Sequence, residues 1–153
     1  MPKKIINKEN GELTLNGFTI GMHTKQTELF AHFGKGKLKK SIYTKNDYYY
    51  LPQQKVGRYY IIFSFEFNKK QLSKIKFEIE TKPKERQPWG NNRDVETRWI
   101  ARQMDDKSNF IWNMNIPRNY SLQYPWGFIG VYYDFKNGTF DSGIFYNKKI
   151  KKN

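Results

Sequence analysis

The sequence predicts an α+β fold: a curved, mainly antiparallel sheet with two helices packed on one face. Three observations carry this expectation. Residues 59–67 and 75–79 alternate apolar and polar side chains, the pattern of a hairpin with one dry and one wet face. Stretches beginning near Thr24 and Asp94 place apolar residues at helical spacing behind a capping residue. Asn-Gly pairs at 16–17 and 137–138 separate alternating runs, a strong hairpin signal.

In chain order, Leu13 and Leu15 alternate with polar neighbours, and Phe18 and Ile20 resume the alternation after Asn16-Gly17. Thr24 suits a helix N-cap, with Leu29, Phe30 and Phe33 as the apolar stripe and Gly34 as the stop. Residues 35–58 are basic and tyrosine-rich, with short strands expected at 41–44 and 48–51. Tyr59, Ile61, Phe63, Phe65 and Phe67 then share one strand face. Asn68–Gln71 turn the chain, and Ile75, Phe77 and Ile79 return on the same face.

Residues 81–92 read as loop, with two prolines, a glycine and no periodicity. Asp94 caps a second helix, in which Val95, Trp99, Ile100 and Met104 are the expected buried stripe and Glu96 and Arg98 face solvent. A short strand is expected at 110–114, a loop from Pro117 to Pro125, and a final hairpin through 126–146. The tail from 147 to 153 is basic.

The 153 residues suit a single domain, 1–153. Its halves, 10–80 and 93–146, each run from a helix or its approach into a hairpin. Phe65-Glu66-Phe67 aligns with Tyr133-Asp134-Phe135, and Phe30 falls near Trp99. Two readings stand: a diverged duplication, or two amphipathic hairpins that align because all such hairpins do.

The absence of cysteine excludes disulfides, thiolate catalysis and cysteine metal sites. No run of about 18 apolar residues spans a membrane, and no signal-like apolar stretch follows Lys3-Lys4. The expected location is therefore cytoplasmic, or periplasmic if a leader has been removed. The net charge of +14 favours anionic partners, although base composition of a genome also enriches lysine. Aromatics at 18% are too many for a disordered chain.

Few residues offer chemistry. His23 and His32 are the only histidines; His32 stands four residues after Glu28, but no cluster supplies a third metal ligand. No Ser-His-Asp context is apparent. Glu66 with Asp134, or Asp105 with Asp106, would be the carboxylates of a small hydrolase, although acids near strand ends more often form ion pairs. The glycines of 34–37 are too close together for a phosphate loop. No cofactor is expected. Lys35, Lys37, Lys39 and Lys40, followed by Tyr48, Tyr49 and Tyr50, suit a partner-binding surface, with nucleic acid the alternative through phosphate contacts and base stacking. Tyr124 and Trp126 add a second aromatic rim.

The C-terminal half carries a looser pattern. Trp99-Ile100 on a helix precedes Trp126-Gly127, Ile129, Asp134, Lys136, Gly138, Ile144 and Tyr146 on a hairpin. This resembles small bacterial immunity proteins encoded beside polymorphic, contact-dependent or type VI secreted toxins. The resemblance covers about 50 residues and implies a non-catalytic inhibitor of a cognate toxin. A chain of +14 would repel a basic nuclease, so such a toxin is expected to be acidic or neutral. The oligomeric state is not legible.

Overall fold

A computed structural model describes residues 3–34, 37–41, 47–82, 93–108, 119–134 and 138–147. Its architecture is the expected α+β arrangement of two helices and an antiparallel sheet that does not close. The elements are β1 (Ile6–Asn7), β2 (Glu12–Leu15), β3 (Phe18–Ile20), α1 (Gln26–Phe33), β4 (Lys39–Ser41), β5 (Asp47–Tyr50), β6 (Gln54–Val56), β7 (Tyr59–Asn68), β8 (Gln71–Glu80), α2 (Arg93–Gln103), β9 (Tyr120–Tyr124), β10 (Gly127–Asp134) and β11 (Thr139–Tyr146).

The main sheet runs β4-β5-β7-β8-β11-β10-β9, with β6 also paired to β7. The chain leaves β8 through α2, and the β9–β10–β11 meander brings it back beside β8. β5 and β6 lie end to end along β7. Tyr50 faces Ser64 but Gln54 faces Ile61, so the register slips by one residue around Pro52. Proline lacks an amide donor and is tolerated at such a bulge.

Cross-strand partners point to the same side of a sheet. Tyr49, Phe65, Ile75, Ile144 and Ile129 therefore share one face, and both helices pack there. The Phe30 ring of α1 meets Tyr49 at 5.1 Å, and the Trp99 ring of α2 meets Phe77 at 5.3 Å. Phe63, Phe65, Phe67, Phe77, Trp99 and Leu29 are essentially inaccessible and form the core with the isoleucines. A three-stranded sheet, β1-β2-β3, adds Leu13 and Ile20 to this core. The Gln103 side chain of α2 docks it. Its oxygen accepts from the Ile5 amide at 2.9 Å, and its nitrogen donates to the Lys3 carbonyl at 2.6 Å.

Several expectations change. α1 is capped at Lys25, whose amide donates to the Glu28 carboxylate at 3.1 Å. Thr24 instead turns backward, its hydroxyl accepting from the Gly21 amide at 2.8 Å. Glu96 is buried, because at three and four residues before Trp99 and Ile100 it lies on their stripe. Part of the segment 117–125 is a strand, β9, with Tyr120, Leu122 and Tyr124 on one face and Ser121 and Gln123 on the other. The expected strand at 110–114, Asn137 of the second Asn-Gly pair and the tail from 148 onward lie outside the described residues.

Asn16 and Gly17 both adopt positive φ, at 52° and 78°, as a two-residue hairpin turn of mirror-image type requires. Lys69 and Lys70 do the same, at 50° and 69°, without the residues that usually permit it.

Candidate functional site

The face of the main sheet opposite the helices has no second layer over it among the described residues. β5 contributes Tyr48 and Tyr50, and β7 contributes Tyr60, Ile62, Ser64 and Glu66. β8 adds Lys74, Lys76, Glu78 and Glu80, β11 adds Asp141 and Phe145, and β10 adds Phe128 and Tyr132. Tyr48, Tyr60, Ile62, Phe128 and Tyr132 are half-buried by their neighbours, and Tyr50 is 37% exposed.

This surface is organised by cross-strand contacts. Phe128 and Phe145 stack at 4.6 Å, and Tyr132 leans onto Phe145 at 5.1 Å. Tyr132 and Phe145 reach each other over Gly130 and Gly143, which face one another across β10 and β11. A Cβ at Gly143 would lie 2.2 Å from the Ile75 carbonyl oxygen, so only glycine fits there. The rings cover the bare backbone that results.

Two lysines of the face are paired with acids. Lys74 reaches Glu66 at 3.5 Å and Lys76 reaches Asp141 at 3.3 Å. Their ammonium groups also lie 5.8 Å from the ring centres of Phe145 and Tyr48. Burial pushes the Tyr48 hydroxyl above its usual pKa, despite a hydrogen bond from Ser64 and the nearby Lys76 charge that oppose the shift. The face is therefore aromatic and nearly balanced in charge.

The sequence-predicted contact residues are divided between surfaces. Tyr48 and Tyr50 lie on the open face, and Lys39, opposite Tyr50 on the edge strand, joins them. Tyr49 is 6% exposed and points into the core against Phe30 and Phe67. Lys40 pairs with Asp47 at 3.3 Å, and a hydrogen bond from Gln26, with that salt link, holds the Asp47 carboxyl below its usual pKa. Lys37 is exposed in the turn before β4. Lys35 lies outside the described residues.

Tyr124 and Trp126 sit at the opposite edge, by β9, at the far end of the strand order from β4. They belong to the packed side of the sheet. Their rings stack at 5.0 Å, and the Trp126 indole N–H donates to the Lys8 carbonyl at 2.9 Å. Gly11 passes directly beneath the Trp126 ring, and the Tyr146 hydroxyl donates to the Gly11 carbonyl. These aromatics join the small sheet to the large one.

Glu66, Asp105 and Asp106 are engaged by separate neighbours. The His32 ring stacks on Phe18 at 4.5 Å, and Glu28 caps α1. Glu66 is held by Lys74, and the side chain of Asp134 lies outside the described residues. Asp105 pairs with Lys4 and Lys8. Asp106 accepts from Ser108 at 2.6 Å and from the Tyr120 hydroxyl at 2.5 Å; these bonds outweigh burial and hold its carboxyl low, while burial and Asp106 raise Tyr120. No group of three His, Asp or Glu among the described residues could hold a metal ion.

Two depressions were not legible in the sequence. A broad trough of about 550 Å³ is bordered by Glu9, Glu12, His23, Glu28 and Trp126. A narrower cavity of about 370 Å³ is bordered by Lys3, Arg58, Tyr59, Trp99 and Arg102. Each collects residues from separate segments, so no local motif marks it.

These features define an α+β protein with an open, aromatic sheet face. No helix among them is long and apolar enough to cross a membrane. No protein-family model, curated protein or solved structure matches the chain.

Proposed function

We propose that this chain is a non-catalytic inhibitor that binds a protein, in the manner of the toxin immunity proteins its C-terminal half resembles. The observation that carries this reading is the open sheet face, where Tyr48, Tyr50, Tyr60, Phe128 and Tyr132 lie among paired charges. Tyrosine and phenylalanine are enriched in protein interfaces, and here they flank the two ion pairs of the central strands. The partner is a bacterial toxin of neutral or acidic surface, since +14 repels a basic one. The inhibitor lays this face across the toxin's active site and excludes substrate.

Nucleic acid suits the face less well. A phosphate track needs consecutive unpaired cations, whereas Lys74 and Lys76 are each engaged by a carboxylate.

The reading is tested by purifying the chain with any secreted toxin domain encoded next to it. A one-to-one complex and rescue of cells expressing that toxin are the expected results. Failure to bind such a toxin, or binding to nucleic acid that weakens steeply with salt, would overturn it.

A further inference from the structure

We infer that strand β9 is a docking edge for a second copy of this chain, and that two β9 strands pair antiparallel about Leu122 to join two main sheets into one. The strand's chemistry, the direction of its backbone groups and its symmetry each point there.

Strands at the end of a sheet offer unpaired backbone groups to any other chain, and short length or lysine is the usual defence. β4 is three residues long and carries Lys39 and Lys40, and β1, β3 and β6 have three residues or fewer. β9 has neither defence. Tyr120-Ser121-Leu122-Gln123-Tyr124 is five residues without a charge, proline or glycine, in a chain of net charge +14. Among the described residues no strand pairs with its outer side.

The Tyr120 carbonyl lies against Gly130 of β10, where a Cβ would come within 2.0 Å of its oxygen. Tyr120 therefore turns its backbone groups inward. Alternation along an antiparallel strand turns those of Leu122 and Tyr124 inward as well, and those of Ser121 and Gln123 outward. Ser121 and Gln123 are both exposed, and the Gln123 side-chain amide donates to the Ser121 hydroxyl at 2.8 Å. The outward-facing pair is thus held in a fixed, extended form.

The strand reads nearly alike in both directions about Leu122. A two-fold axis there sets Ser121 opposite Gln123 of the second copy, so that their outward amides and carbonyls exchange hydrogen bonds, and the reciprocal pair does the same. Leu122 meets its own counterpart, and Tyr120 meets Tyr124 of the second copy, both favourable cross-strand pairs. β4 paired in this way would set Lys40 against Lys40. Two chains of +14 repel, but the lysines of β4 lie at the far end of the strand order from β9, and salt screens charges beyond about 10 Å. The pairing extends the sheet in its own plane. The aromatic face stays open in both copies, and the inference does not depend on the inhibitor role.

The test is sedimentation equilibrium of the full chain alone, from about 10 to about 500 µM. The mass is expected to rise from 18.5 kDa toward twice that value. Association should strengthen from about 50 to about 300 mM salt, because salt screens the like charges and barely affects backbone hydrogen bonds. Ser121→Lys with Gln123→Lys should weaken association about tenfold or more. Ser121→Pro, which removes an outward amide and no bond of the chain's own sheet, should do the same. The chain has no cysteine, so Leu122→Cys supplies a single thiol. Its α-carbon would lie about 4.5 Å from that of the second copy, close enough for oxidised glutathione to link the two as a disulfide. Lys37→Cys, by the opposite edge, should link far more slowly. A chain that stays monomeric throughout would overturn the assignment and leave β9 to a strand of another protein. Association untouched by both the lysine and the proline variants would also overturn it. Association that weakens with salt, or equal linkage of Lys37→Cys, would overturn the pairing about Leu122.

Discussion

The Tyr146 hydroxyl donates a 2.5 Å hydrogen bond to the Gly11 carbonyl, joining residues 135 apart in sequence. Gly11 has φ 74°, and its α-carbon passes so close to Trp126 that a Cβ would lie 2.6 Å from the indole ring. Tyr146, Trp126 and Gly11 thus form the joint between the small and large sheets.

Gly11→Ala is therefore expected to destabilise the protein by about 3 kcal/mol, combining a left-handed alanine with displacement of a packed indole. Urea unfolding measures the loss, and a red shift in tryptophan emission reports the displaced ring. An alanine variant as stable as the parent would contradict the described packing.

Glu96 gives a pH dependence. It is 6% exposed, accepts from Ser142 at 2.5 Å and from the Ile79 amide at 3.2 Å, and feels the charges of Glu78 and Asp141 through the sheet. Burial, above all, raises its pKa from 4.5 to about 7, against those two hydrogen bonds and aided by the neighbouring acids. Below the unfolded value both states are protonated and the group contributes no difference. As pH rises through the interval the unfolded chain ionises first, so stability falls by roughly 3 kcal/mol and then levels off above pH 7. Glu96→Gln should abolish this slope and surpass the parent at pH 8, as read from urea midpoints at pH 5 and pH 8.

The Lys69–Lys70 turn offers the opposite outcome. Both residues sit at positive φ, where side chains with a Cβ are strained. Replacing them with Asn-Gly, the pair already used at 16–17, should stabilise the protein by about 1 kcal/mol. A thermal melt that shifts downward would contradict the turn geometry.

For the inhibitor role, Tyr50→Ala should weaken the toxin complex by at least about tenfold without changing the melting temperature. Lys37→Glu with Lys39→Glu should slow association and lessen its salt dependence, leaving dissociation nearly unchanged. Surface plasmon resonance across a salt series separates the two effects.

The central hairpin was readable because the alternation through Phe63 and Phe77 reports burial on one face only. β9 is masked in the sequence by the turn chemistry of Pro117 and Pro125, although Tyr120, Leu122 and Tyr124 carry the same alternation in weaker form. Charge alone points Glu96 toward solvent, whereas its spacing from Trp99 places it inward. Charge is the weaker guide when a hydroxyl and an amide wait to receive the carboxylate. The lysine-tyrosine stretch suggested one surface, but strand alternation sends Tyr49 inward and Tyr48 and Tyr50 outward. The narrower cavity has no linear signature at all, since Lys3, Arg58 and Arg102 come from separate segments.

The docking of Ile5 through Gln103 and of Gly11 through Tyr146 also bears on synthesis. At a translation rate of about 5–20 residues per second, Tyr146 is made roughly 7 to 27 seconds after Gly11. Strands β1–β3 therefore wait for residues made much later in the chain before their seats are complete. Until then Ile5, Ile6, Leu13 and Ile20 lack part of the cover they have in the folded protein.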